Sequence, residues 1–387
     1  MENIKIPIAQ SIIIDDVAWF DGSDQRHING PARGGIPRYF HPEDVRSLNA
    51  IGKELGVKIG CSLVLGDWDK NNRLRGIPHL TNNPDGWDAA SKIDTEYAEE
   101  YLRAFKESDN LDHILHGLMH SYYDDNNKLV TARQYYPSVT DEKGNVTGFK
   151  WLSPEEFENM ISLFYEIYDD WGFGKRITTF VSPCGCCGKP NDEGNIEYAK
   201  ILRKYGIQCW ANSWMHHSER TDVVEGIVTS KGKTIVPWNA YGYNPKYIPI
   251  DKNSESIDTH ICAHHANFVR FNPENNYEYV DAWANYFRER TDVFGIMLAT
   301  DTREACSQAL YEKHAKLTKR VNLYTVDLSA VDSIDAPVKK NEFFLSFAHG
   351  TEPKSARGAQ IALYKEATDH NIYKLERDGA SIIEITI

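Results

Sequence analysis

Asp15-Asp16 and His116 with His120 supply one carboxylate pair and one imidazole pair, each directly after an apolar run that reads as a buried strand. Two imidazoles and one carboxylate make a His₂Asp set suited to zinc, and three protein ligands leave a position for water. With 14 His in 387 residues, roughly 0.5 His-x-x-x-His pairs arise by chance, so the surroundings must decide. Successive side chains of an extended segment point to opposite sides, so one Asp is expected to bind metal and the other to serve as a nearby base. Taken singly, the Asp pair also suits a solvated strand end or a helix N-cap, and the His pair a surface loop beside Tyr122 and Tyr123.

Other strand ends carry further candidates. The segment 180–185, Phe-Val-Ser-Pro-Cys-Gly, reads as a strand entering a tight turn, where an exposed backbone N–H can stabilise an oxyanion. A plain β-turn has the same signature. The segment 261–268, Ile-Cys-Ala-His-His-Ala-Asn-Phe, ends in two histidines, one of which can protonate a leaving group, with Asn267 placed to orient it. Cys184, Cys186 and Cys187 form a cluster whose default reading is three free thiols in a loop, with a soft-metal site or a reactive thiol as the sharper one. Trp19, Tyr39, Trp68, Trp87, Trp214 and Trp238 are candidates for stacking on a sugar ring, although most aromatics serve packing.

The elements that must position these residues follow from periodicity. Val45, Leu48, Ile51 and Leu55 recur at helical spacing between Pro42 and Gly56. Further helices are expected near 95–106, 154–168, 196–204, 277–290 and 302–317. Strand-like runs lie at 57–65, 112–115, 177–181, 207–211, 260–263 and 293–299, and with the run before Asp15 they predict seven strands alternating with helices. This is an α/β chain, a distorted (β/α)₇-type barrel over 1–318. Two long polar stretches, 67–94 and 214–258, read as insertions. Beyond residue 319 the helical pattern stops, and 342–348, 360–364 and 380–387 alternate as antiparallel strands. A small C-terminal β-sandwich-like domain is therefore expected over 319–387.

Composition narrows the function classes. A formal charge of −13 with no Lys/Arg-rich run disfavours nucleic acid and anionic membrane and suits a neutral or cationic small substrate. No apolar stretch approaches a membrane span, and the first ten residues show no signal-peptide pattern. Seven cysteines, an odd number with three crowded together, fit a reducing compartment, so the expectation is a cytoplasmic protein. The sequence leaves the oligomeric state open.

The order of motifs, Asp-Asp after the first strand, His-x-x-x-His after the third, Phe-x-x-Pro-x-Gly after the fourth and a late strand-end His, resembles the polysaccharide deacetylase superfamily with its NodB-type carbohydrate esterase fold. The resemblance spans roughly residues 11–300. It implies Asp15 as general base, Asp16, His116 and His120 as metal ligands, the backbone N–H of Cys184 after Pro183 as oxyanion donor, and His264 as general acid, with His265 a competitor. The chain departs from the pattern at Val181-Ser182-Pro183-Cys184, where the best-studied branch carries Arg-Pro-Pro-Tyr and uses the Arg to hold the base, so a divergent branch is implied. The implied activity is zinc-dependent removal of N- or O-acetyl groups from a small carbohydrate or oligosaccharide. A metal-dependent glycoside or cyclic-amide hydrolase, and a carbohydrate-binding protein with a vestigial metal site, are the alternatives.

Overall fold

The computed structural model describes residues 4–18, 38–77, 88–118, 121–123, 129–131, 135, 138–143, 145–149, 151–183, 193–212, 220–237, 240–252 and 257–387. Among them, seven parallel strands close into a barrel. In chain order these are β1 (Ala9–Val17), β2 (Ile59–Val64), β3 (Leu111–Gly117), β4 (Thr179–Val181), β5 (Cys209–Asn212), β6 (Ile227–Thr234) and β7 (His260–His264). Each pairs with the next, and β7 returns to β1 with His264 opposite Asp15.

Helices α1 (Pro42–Leu55), α2 (Thr95–Lys106), α3 (Pro154–Asp170) and α4 (Glu193–Lys204) cross between the first five strands. Their ends obey local chemistry. Ser153 and Glu156 form a reciprocal cap with Pro154 in the first turn of α3, and Gly56 ends α1 at φ 68°. The base of α1 is held by a buried carboxylate, Asp44, which accepts from the His41 N–H at 2.7 Å.

The expected seven strands are present, with one exchanged. The run 293–299 is not a barrel strand. Its first residues finish α5 (Val280–Phe294), Gly295 turns the chain at φ 60°, and Met297–Leu298 adds in parallel to Ala9 and Gln10 at the foot of β1. The seventh barrel strand is β6, inside the stretch read as a polar insertion. Its sequence, Ile-Val-Thr-Ser-Lys-Gly-Lys-Thr, lacks the apolar run of its neighbours because the barrel buries Thr229 and Ser230 instead. An antiparallel partner, Thr221–Val224, precedes it through a two-residue turn at Glu225-Gly226, both at positive φ.

Alternation sorts the strand residues into two cores. Ile12, Ile14, Leu63, Leu115, Phe180, Trp210, Ile261 and Ala263 face the helices. Ile13, Ile114, Val181, Ala211 and Cys262 meet inside the barrel. A Cβ on Gly60 would lie 2.4 Å from Ile114 Cδ1, so this layer is filled at glycine's expense. Two residues below it, Ser11 and Ser230 each hydrogen-bond a ring nitrogen of His260, at 2.7 and 2.5 Å. Helix α6 (Thr302–His314) lies across that end, with Cys306 Sγ 3.7 Å from Ser230 Oγ.

The helix expected over 302–317 stops at His314, because Ala315 is extended and Lys316–Arg320 pairs with Leu323–Asp327. The strands after His314 lie in two four-stranded antiparallel sheets, and Ile4–Lys5 supplies an edge to the sheet containing Glu342–Ala348. Phe343, Leu345, Phe347, Leu375, Ile383 and Ile385 pack between the sheets. Tyr311 of α6 stacks on Phe343 at 4.6 Å, so one helix serves both the barrel floor and this β unit. No helix among the described residues is long and apolar enough to cross a membrane.

The interior layer makes a prediction. Gly60→Ala should destabilise the fold by about 1–3 kcal/mol through overpacking, and adding Ile114→Val, which removes the opposing methyl, should recover most of the loss. Urea unfolding of both variants measures this; additive losses would mean the two positions do not meet.

Candidate active site

One layer above Ile13, Ile114 and Cys262 the same inward parity places Asp15, His116 and His264, and Gly60 leads likewise to Ser62. These positions end their strands at the carboxyl side, where α/β barrels carry their chemistry. All four side chains are buried.

Two strands bulge here. Between Ile14 and Val17, β1 advances three residues while β2 advances two, and Asp16 takes up the extra residue at φ 60°, a left-handed conformation that Asp tolerates better than most residues. Between β2 and β3 the register also slips, with Leu63 opposite Leu115 and Val64 opposite Gly117, which spans His116. The expectation that Asp15 and Asp16 point to opposite sides is corrected by the first bulge. Asp16 turns inward as well, its Oδ1 3.3 Å from His116 Nε2 and its Oδ2 3.8 Å from His264 Nε2.

Hydrogen bonds fix the remaining roles. Ser62 Oγ donates to Asp15 Oδ1 at 2.8 Å, a contact with no signal in the sequence beyond Ser62's inward parity. His116 Nδ1 lies 2.8 Å from Val181 O. A carbonyl oxygen only accepts, so Nδ1 carries a proton and Nε2 is the atom presented to Asp16. With Nε2 unprotonated, a lone pair and a carboxylate oxygen stand 3.3 Å apart, an arrangement that calls for a cation. With Nε2 protonated, the contact is an imidazolium–carboxylate pair. Burial opposes the charge on His116, yet the Asp16 hydrogen bond and the charges of Asp15 and Asp16 hold its pKa above the usual value. Burial drives the Asp15 pKa up, against the pull of His116, His264 and Ser62.

The two adjacent histidines separate cleanly. His264 closes β7, and its backbone N–H donates to Asn267 Oδ1 at 2.7 Å. His265 turns away and stacks on Phe40, with ring centroids 4.1 Å apart and an 11° interplanar angle. Among the described residues neither of its buried ring nitrogens has a hydrogen-bond partner, and burial pushes its pKa down to about 4. His265 is a neutral packing group.

His120, Cys184 and the rest of the Cys184–Cys187 cluster lie outside the described residues, as do Trp19, Trp87, Trp214 and Trp238. Pro183 follows β4 and is buried. Trp68 is no sugar platform. It is 1% exposed, with Tyr101, Trp171 and Phe173 around it at ring distances of 6.0, 5.6 and 5.2 Å. Among the described residues no group of three His, Cys, Asp or Glu side chains is placed to hold a metal ion. The Asp16 and His116 geometry fits two of the three ligands.

A neutral buried histidine ties stability to pH. For His265 the contribution is fully present above the ordinary pKa of 6.5 and is lost as pH falls toward about 4, since over that window the unfolded chain takes up a proton that the folded chain refuses. The expected slope approaches about 1.4 kcal/mol per pH unit. His265→Phe should flatten it in urea unfolding at pH 7, 6 and 5, and an unchanged slope would place the acid sensitivity elsewhere. No family model matches the chain, and no curated protein matches it.

Proposed function

We propose that the chain is a metal-dependent hydrolase that removes acetyl groups from a carbohydrate. The observation that carries this reading is the convergence of Asp15, Asp16, His116 and His264 in one buried layer at the strand ends, with His116 Nε2 turned toward Asp16 by the Val181 carbonyl. The similarity in motif order to polysaccharide deacetylases supports the same roles.

Asp16 and His116, with His120 as the third ligand that the resemblance implies, would hold a zinc or similar divalent ion, which supplies polarisation of the acyl carbonyl and acidification of a water. Asp15, steadied by Ser62, takes a proton from the attacking water, whose oxygen bonds to the acyl carbon. Ser62, on β2, thus contacts the base, a part that the family pattern gives to an Arg at the position of Val181. His264 gives a proton to the departing nitrogen or oxygen as the acyl bond breaks, so that acetate and an amine or alcohol leave. The backbone N–H of Cys184 is the implied partner of the developing oxyanion. A chain of net charge −13 favours a neutral or cationic sugar.

Zinc reconstitution should give about one ion per chain, lost when Asp16→Ala and His116→Ala are combined. Asp15→Asn should keep the ion and lower acetate release from acetylated oligosaccharides by about 10²–10⁴-fold. His264→Gln should do the same, while His265→Phe should retain turnover. A shortened saccharide without acetate would assign glycoside cleavage instead, and no bound ion after reconstitution would reject the site.

A further inference from the structure

At the amino-terminal ends of β2, β3 and β4, the end of the barrel opposite Asp15 and His116, short polar segments enter the strands and meet the start of α6. Lys58 precedes β2, Asp109 and Asp112 flank the first residue of β3, Lys175 and Arg176 lead into β4, and Asp301 and Arg303 open α6. These seven charged side chains line one cavity of about 290 Å³. Such a volume holds about ten waters at roughly 30 Å³ each, which is room for a small metabolite and too little for a nucleotide.

The frame around the cavity is fixed. The Lys58 N–H donates to Thr300 O at 2.8 Å, which ties the foot of β2 to the residue before Asp301. Lys175 Nζ donates to Ser108 O and Leu111 O at 2.5 and 2.9 Å, which holds the entry to β4 against the entry to β3. Asp301 Oδ1 accepts from the Glu304 N–H at 2.7 Å and caps α6.

The charges themselves stay largely uncompensated. Among the described residues their one ion pair is Lys58 with Asp112, at 3.6 Å. Neither Arg303 nor Arg176 has a carboxylate or hydrogen-bond partner there, and Arg303 Nε is buried without one. Burial raises the Asp112 pKa, Lys58 opposes the rise, and the charge of Asp301 adds to it, so two carboxylates repel each other across the space. His113, also on the wall, stays neutral because burial pushes its pKa down to about 3. Charges grouped for stability alone pair with one another, as Arg73 does elsewhere on this barrel, donating to both oxygens of Asp170 at 2.9 Å. Here guanidiniums and carboxylates stand apart around open volume, and a ligand carrying both signs of charge completes them.

We propose that this cavity binds a free α-amino acid, whose carboxylate is received by Arg303 and by Arg176 at the rim, and whose ammonium is received by Asp112 and Asp301. The planar fork of a guanidinium matches a carboxylate. A phosphate dianion would face three carboxylates and a simple cation four basic groups, whereas a zwitterion meets each with its opposite. The site lies apart from the candidate active site and stands whether or not the deacetylase reading holds.

The test is calorimetry on the full chain with glycine, alanine, glutamate and lysine, with the N-acetyl and methyl-ester forms of whichever binds, and with inorganic phosphate. At least one amino acid should bind with a Kd of about 1 mM or tighter. Blocking its ammonium or its carboxylate should weaken binding about tenfold or more, the effect of losing a charged hydrogen bond. Arg303→Gln should cause a similar loss for the free amino acid and none further for the ester, and Asp112→Asn should do the same with respect to the N-acetyl form. Arg357→Gln, an exposed change on the C-terminal β unit, should leave binding as it was. No binding by any of the four, binding that survives both cavity substitutions, or a blocked form that binds as well as the free amino acid overturns the site. Phosphate that binds more tightly than every amino acid, and is lost with Arg303→Gln, overturns the zwitterion in favour of a plain anion.

Discussion

A closed parallel barrel gives each strand one inward side chain for every two residues, and that parity decides what this protein can assemble at its centre. The inward positions run from the Ser11, His260 and Ser230 cluster through Ile13, Ile114 and Cys262 to Asp15, His116 and His264. Apolar side chains and Gly60 fill the middle, α6 lies across one end, and the charged layer stands at the other. Parity alone yields one carboxylate from β1. The second requires an extra residue, and the bulge at Asp16 supplies it at the cost of a positive φ, a strain of order 1–3 kcal/mol that persists only where the surroundings impose it.

Two carboxylates and two imidazoles in one buried layer are expensive unless their charges balance. Ser62 satisfies one oxygen of Asp15, and Val181 fixes the ring of His116. Asp16 and His116 face each other at 3.3 Å, a contact that a proton on Nε2 turns into an ion pair. The raised pKa of His116 follows from the same balance, the Asp16 hydrogen bond and the charges of Asp15 and Asp16 outweighing the cost of burial.

Much of the candidate site was legible because its residues end apolar runs: Ile12–Ile14 before the Asp pair, Ile114 and Leu115 before His116, Ile261–Ala263 before His264. What stayed hidden was hidden for physical reasons. β6 buries Thr229 and Ser230, so its burial leaves no hydrophobic trace, whereas 293–299 is apolar because it ends one helix and underlies the barrel. Ser62 carries no motif, since a serine gains meaning only from the carboxylate on the neighbouring strand. The bulge at Asp16 breaks the alternation from which its direction was read. The choice between His264 and His265 needed a distant residue, Phe40, whose ring claims one of them for packing.

Strand-borne and loop-borne parts of such a site obey different rules. Groups that must stay within a few tenths of an ångström of one another sit on paired strands, where the ladder holds each Cα and parity fixes direction. Groups that meet a large ligand belong on connections, which vary without disturbing the ladder. Here the second kind is stiffened by an ion pair and its hydrogen bonds instead of sheet pairing: Asp44, fully buried at the start of α1, gathers Arg38 and His41 from one segment and Asn276 from another. That carboxylate does for the rim what the bulge does for the interior, converting a flexible stretch of chain into a fixed point from which side chains project. The strand-borne layer and the braced rim therefore rest on separate supports, and substitutions in one can change while the other keeps its geometry.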